Sequence, residues 1–172
     1  MFGEYRAPTG VSRNPSNRTE GLEPIREAVA TLSSRLGRQL KFLVGKPGLD
    51  GHSNGAEQIA ARARDCGMDI HYDGIRLTPS EIVSAAVDQN AHVIGLSILS
   101  GSHVPLVAEI LNLMRAGGLS HIPLIVGGII PEDDATRLRA MGVAAVYTPK
   151  DFELNTIMLD IVGLVSARTL VD

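Results

Sequence analysis

Tryptophan is absent from this 172-residue chain, phenylalanine and tyrosine occur three times each, and there is a single cysteine. Cys66, being alone, excludes a disulfide framework or a cysteine-rich metal centre within one chain. Aromatics at 3% leave no stacking platform for bases, and a net charge of −3 with both signs dispersed gives no basic face for phosphates. No apolar run approaches the length that spans a bilayer, and no charged-then-apolar leader opens the sequence. These absences lead us to expect a cytoplasmic protein with neither nucleic acid nor membrane as a partner. What is present is an apolar content of 44%, enough for one globular domain with a substantial core.

The chain divides into two parts. Residues 1–38 read as a linker or docking arm: "GEYRAPTGVSRNPSNRTEGLEP" is rich in Gly, Pro, Ser, Asn and Arg. A short helix from Pro24 to Leu36 is expected at its end, because Ile25, Ala28, Val29, Leu32 and Leu36 fall near helical spacing. Residues 39–172 read as one domain of alternating elements. Strand-like runs cover Leu40–Gly45, Met68–Tyr72, His92–Leu96, Pro123–Val126 and Ala144–Tyr147. Helix-like runs cover Asn54–Cys66, Thr78–Asp88, Val104–Arg115, Pro131–Met141 and Phe152–Val165. Thr78-Pro79-Ser80-Glu81 has the cap, first-turn proline and reciprocal glutamate of a capping box. Cys66-Gly67 and Met141-Gly142 read as glycine-closed helix ends. Five strands alternating with five helices imply an α/β fold with a doubly wound parallel sheet, covered by helices on both faces. The expected strand order is the flavodoxin-like 2-1-3-4-5. In such a sheet ligands bind beyond the carboxyl ends of the strands, where the loops after strands one, three and four meet.

The first of those loops, "KPGLDGHSNG", carries Lys46, Asp50 and His52 among glycines. Three readings compete. In the structural one, Asp50 or Ser53 caps the next helix and His52 is a surface histidine. A phosphate loop fits poorly, since Lys46 precedes the loop and the glycines at 45, 48, 51 and 55 match neither nucleotide fingerprint. A phosphoryl-receiver fares no better: Leu40–Gly45 contains no acid and Gly95-Leu96-Ser97 offers no aspartate. In the third reading a neutral imidazole ligates a metal while a carboxylate accepts from its other nitrogen. One histidine does not hold a free ion, so this reading requires a metal already held in a macrocycle.

Asp50-Gly51-His52-Ser53-Asn54-Gly55 matches the D-x-H-x-x-G signature of cobalamin-binding domains, Ser97-Ile98-Leu99 their S-x-L, and Gly127-Gly128 their G-G. The resemblance covers about residues 39–165. "KPGLDGHSNGAEQIA", "YDGIRLTPSEIV", "GLSILSGSH", "VGGIIP" and "VYTPKDF" resemble the carboxyl-terminal domain of acyl-CoA mutases, the ethylmalonyl-CoA type before the methylmalonyl-CoA type. "FGEYRAPTGV" resembles the segment joining barrel and cobalamin domain in the ethylmalonyl enzymes. The resemblance implies a flavodoxin-like fold and adenosylcobalamin held base-off. It implies His52 as axial ligand to cobalt, with Asp50 and Lys46 as the hydrogen-bonded relay behind it. It implies Gly51, Ser53 and Gly55 as further cofactor-binding residues of the same signature. The displaced nucleotide tail would enter a slot lined by Ser97, Leu99, Gly127 and Gly128, with Thr148 and Lys150 at its border. His103 reads as a polar edge contact; His71, His92, His121 and Cys66 read as structural; "ARARD" and "RLRAM" read as solvated helix faces.

The family's chemistry also needs a large barrel that binds the acyl-CoA, and such barrels take 200 residues or more. The chain is therefore expected to be the cofactor-binding part of an isomerase, inactive alone. It would be a small subunit or a piece of a longer mutase, partnered by an acyl-CoA-binding barrel, with weak self-association in the barrel's absence. The alternative is a corrinoid methyl-carrier of a methyltransferase system. Such proteins carry a helical bundle ahead of the corrinoid domain, and residues 1–38 allow at most one helix.

Overall fold

The computed structural model describes residues 22–45, 54–72, 78–98, 103–128, 130–148 and 153–171. The elements are α1 (Glu23–Leu36), β1 (Lys41–Gly45), α2 (Asn54–Asp65), β2 (Asp69–Tyr72), α3 (Pro79–Gln89), β3 (Val93–Ser97), α4 (His103–Ala116), β4 (Leu124–Gly127), α5 (Glu132–Met141), β5 (Ala145–Tyr147) and α6 (Leu154–Val171). All strands are parallel, in the order β2-β1-β3-β4-β5. This is the expected doubly wound, flavodoxin-like order.

The sheet is covered on both faces because alternate strand residues on both sides are apolar. Leu43, Ile94, Leu96, Val126 and Val146 pack with Ile82, Ile110 and Leu138 of α3, α4 and α5. Phe42, Val44, Val93, Ile125 and Tyr147 pack on the other face with Val29, Ala63 and Ile161 of α1, α2 and α6. Each fully buried aliphatic or phenyl side chain contributes roughly 1.5–3 kcal/mol. Gly95, mid-strand in β3, belongs to this second face. A Cβ there would lie 2.8 Å from the Phe42 ring, so the phenyl group fills the space the glycine leaves. Leu22, Ile25, Val29 and Leu32 are buried in the same layer. Helix α1 is thus part of the packed body ahead of residue 39, and its apolar spacing is the mark of that contact.

The capping box of α3 forms as expected. Glu81 N donates to Thr78 Oγ1 at 3.1 Å, and Thr78 N donates to Glu81 Oε1 at 2.8 Å. Gly67 and Gly142 follow the ends of α2 and α5 with positive φ. Helix α6 runs six residues beyond the expected Val165, to Val171. Its later turns are tied down by Val165, which is buried, and by Arg168, whose Nη1 donates to Ser120 O at 3.0 Å. Three more arginines make bonds of the same kind. Arg26 Nε donates to Asp65 O at 2.9 Å, Arg115 Nη2 to Met141 O at 3.1 Å, and Arg38 to Asn90 O. These carbonyls end α2, α5 and α3, where backbone acceptors lack helical partners and the dipole favours a cation. Among the described residues no helix is long and apolar enough to cross a membrane.

Two of the residues read as structural are confirmed in that role. Cys66 is buried, and burial pushes its thiol up to about 11, so it is an inert apolar filler. His92 Nδ1 accepts from Lys41 N at 2.9 Å, fixing the start of β1 against β3. Burial first, and the Arg38 guanidinium second, lower His92 from its ordinary 6.5 to about 4. The unfolded chain therefore binds a proton that the fold rejects between these values. Stability from this group is complete above pH 6.5 and is lost as pH falls towards 4. His92→Asn keeps an acceptor near the Nδ1 position and does not titrate. Urea unfolding at pH 7 and pH 4.5 should show the variant losing about 2 kcal/mol less than the parent between the two.

Candidate functional site

Parallel strands send all their carboxyl ends to one edge, so the segments after Gly45, Ser97, Gly127 and Tyr147 leave the sheet together. At this edge Ser97 pairs with Gly127, and Gly127 with Tyr147, across β3, β4 and β5. All three belong to the face that carries α1, α2 and α6, since Tyr147 packs in that layer. The row is small in its centre. A Cβ at Gly127 would meet only ordinary contacts, Tyr147 O at 3.7 Å and Tyr147 Cβ at 4.0 Å, so its absence leaves usable space. Ser97 is half-buried beside it, and its hydroxyl bonds to no other described residue. A part-buried hydroxyl beside a glycine is a short hydrogen-bonding group where the described residues place no other side chain in contact.

Gly128 serves the fold first. Its φ is +149°, and a Cβ would lie 2.8 Å from the Ile98 carbonyl carbon and closer still to its oxygen. The backbone after β4 therefore passes directly against the backbone after β3, an approach only glycine allows. Ile98 N donates to Gly127 O at 2.9 Å and Gly128 N to Tyr147 O at 3.0 Å, which extends the ladder to the lip of the sheet.

Of the residues expected at the site, the structure brings Ser97, Gly127 and Gly128 together, places half-buried Thr148 directly after β5, and puts Gly55 in the first turn of α2. Lys46, Asp50, Gly51, His52, Ser53, Leu99 and Lys150 lie outside the described residues. The segment 46–53 joins the end of β1 to the start of α2, at this same edge.

Two features at this edge escaped the sequence reading. Tyr147 donates from its hydroxyl to Asp160 Oδ2 at 2.7 Å, holding α6 to β5. Burial, then this bond to the carboxylate, raises the phenol pKa well above its ordinary value. Its signal was an aromatic closing an apolar strand. Arg62, read as solvated surface, is half-buried and donates from Nη1 to Asn155 Oδ1 at 3.1 Å, joining α2 to α6 over the same face.

A doubly wound parallel sheet with Ser97 and Gly127 paired at its carboxyl edge defines the class of fold, and the comparisons give the family. The chain belongs to the B12 binding domain family, which matches residues 40–152. It is 77% identical over 169 residues to an ethylmalonyl-CoA mutase of Cereibacter sphaeroides, covering 98% of this chain and 26% of that protein. It is 36% identical over 129 residues to the 2-hydroxyisobutanoyl-CoA mutase small subunit of Aquincola tertiaricarbonis, covering 75% of this chain and 94% of that subunit. In structure it resembles a cobalamin-binding protein of Desulfitobacterium hafniense, with a TM-score of 0.64 at 16% identity over 86% of this chain and 70% of that one. The chain thus spans about a quarter of the length of the ethylmalonyl-CoA mutase it matches.

The row separates two kinds of glycine. Gly128→Ala should cost about 2 kcal/mol or more in urea unfolding, because backbone must move. Gly127→Ala and Ser97→Ala should each stay within about 1 kcal/mol of the parent yet weaken cobalamin binding about tenfold, measured by absorption titration. Unchanged binding in both would mean that no ligand occupies the row.

Proposed function

We propose that this chain is the adenosylcobalamin-holding part of a carbon-skeleton acyl-CoA mutase of the ethylmalonyl-CoA type. The observation that carries the reading is 77% identity maintained along nearly the whole chain. Bound adenosylcobalamin supplies the radical chemistry. The protein's own residues bind and orient it.

His52, which lies between β1 and α2 in the sequence, would hold the cobalt. Asp50, two residues earlier, accepts from the second ring nitrogen, which fixes the tautomer and raises ligand basicity. Lys46 keeps Asp50 ionised. Ser97 and Gly127 would hold the cofactor's nucleotide tail, the hydroxyl donating to it and the glycine giving it room. Leu99 and Thr148 border the slot. A separate acyl-CoA-binding barrel covers the exposed corrinoid face, holds the substrate against it and excludes water. The small subunit among the relatives supports this division, since a chain of nearly the matched length is one part of a mutase.

His52→Ala should abolish the base-off, histidine-ligated absorption spectrum, and Asp50→Asn should weaken affinity by about 10–100-fold. A spectrum unchanged in His52→Ala would remove His52 from cobalt. Isomerisation of ethylmalonyl-CoA should require both the chain and a matching barrel chain with adenosylcobalamin; turnover by the chain alone would refute the division of labour.

A further inference from the structure

A second concave site lies at the opposite edge of the sheet, where the strands begin. It is a groove of about 420 Å³. Its floor is apolar, with Leu36, Ala86, Leu119, Ile122 and Val165 among its lining residues. Its polar lining carries Arg38, Arg168, His92, His121 and Asn90, and among the described residues no carboxylate lines it. The donors have fixed positions. Arg38 and Arg168 are anchored by bonds to the carbonyls of Asn90 and Ser120, each using one of five guanidinium N–H groups. His92 Nδ1 is occupied by the Lys41 N–H, so its neutral ring carries the proton on Nε2 and is a donor there. The Arg38 bond satisfies the carbonyl that closes α3, which offsets the negative end of that helix.

We propose that this groove binds a small amphipathic anion, an aliphatic carboxylate whose chain lies on the apolar floor and whose head group meets Arg38 and Arg168. Charge complementarity sets the sign, since the described lining holds two permanent cations and no acid. The floor sets the body, since a bare inorganic anion leaves Leu36, Val87 and Leu119 uncovered. Lys41 at the head of β1 and His92 just before β3 put the groove on the two strands that run to the cofactor edge, yet it shares no residue with the corrinoid row. The inference therefore stands apart from the mutase reading.

The test is a titration of the 172-residue chain, with backbone amide resonances followed by NMR, using hexanoate, 1-hexanol and inorganic phosphate in parallel. Hexanoate should shift the amides of Asn90, Ala91, Leu119, Ser120 and Ile122 saturably, with affinity about tenfold or more above either partial probe. Arg38→Gln and Arg168→Gln should each reduce hexanoate affinity about tenfold while cobalamin binding holds, with circular dichroism confirming the fold. Hexanol or phosphate matching hexanoate, shifts confined to the cofactor edge, or no saturable shift in the parent would each overturn the proposal. The parent titration decides the matter even if an arginine variant fails to fold.

Discussion

A parallel sheet buried on both faces imposes a polarity on everything around it. Every strand ends at the same edge and every crossover must return to the other, so the segments after β1, β3, β4 and β5 emerge together. Two apolar layers hold the sheet in this state: Leu43, Ile94 and Val126 on one side, Phe42, Val93 and Ile125 on the other. Lys41 with Asp69 and Arg26 with Glu23 are side-chain pairs at or near the surface, where such contacts add little.

The same polarity divides the polar chemistry. Helix ends at the strand-start edge present unsatisfied carbonyls, and arginines from neighbouring elements take four backbone acceptors there. At the carboxyl edge the backbone is brought to closest approach instead, with Gly128 against the Ile98 carbonyl. One edge is closed by side chains reaching across gaps. The other is closed by the main chain itself, so Gly127 and Ser97 can remain small without loosening the sheet.

Much of this was legible in the sequence because it depends on local pattern. Strand order, the Thr78 box and the ends of α2 and α5 follow from periodicity and caps, and the placement of Ser97 and Gly127 follows from their position after apolar runs. What was not legible depends on distance. Nothing near Gly128 announces that its neighbour is the Ile98 carbonyl, about thirty residues earlier in the chain. Arg62 and Arg38 look like any surface arginine until the elements opposite them are known. Helix α1 showed its apolar stripe but not what it covers, so a segment of the core read as the end of an arm. His52 and its loop rest on a motif rather than on a pattern of burial, and they lie outside the described residues.

The two outermost strands are short: β2 has four residues and β5 has three. An unpaired strand edge is a template on which another chain can add, and its capacity grows with the length of the exposed ladder. Among the described residues that ladder is brief at both sides, and on the β5 side the neighbouring helix is fastened down by the Tyr147–Asp160 bond. A foreign strand would find too few donors and acceptors to anneal. The sheet is thereby protected from annealing edge to edge with a neighbouring chain, and contact is left to loops and helical surfaces, which can part again.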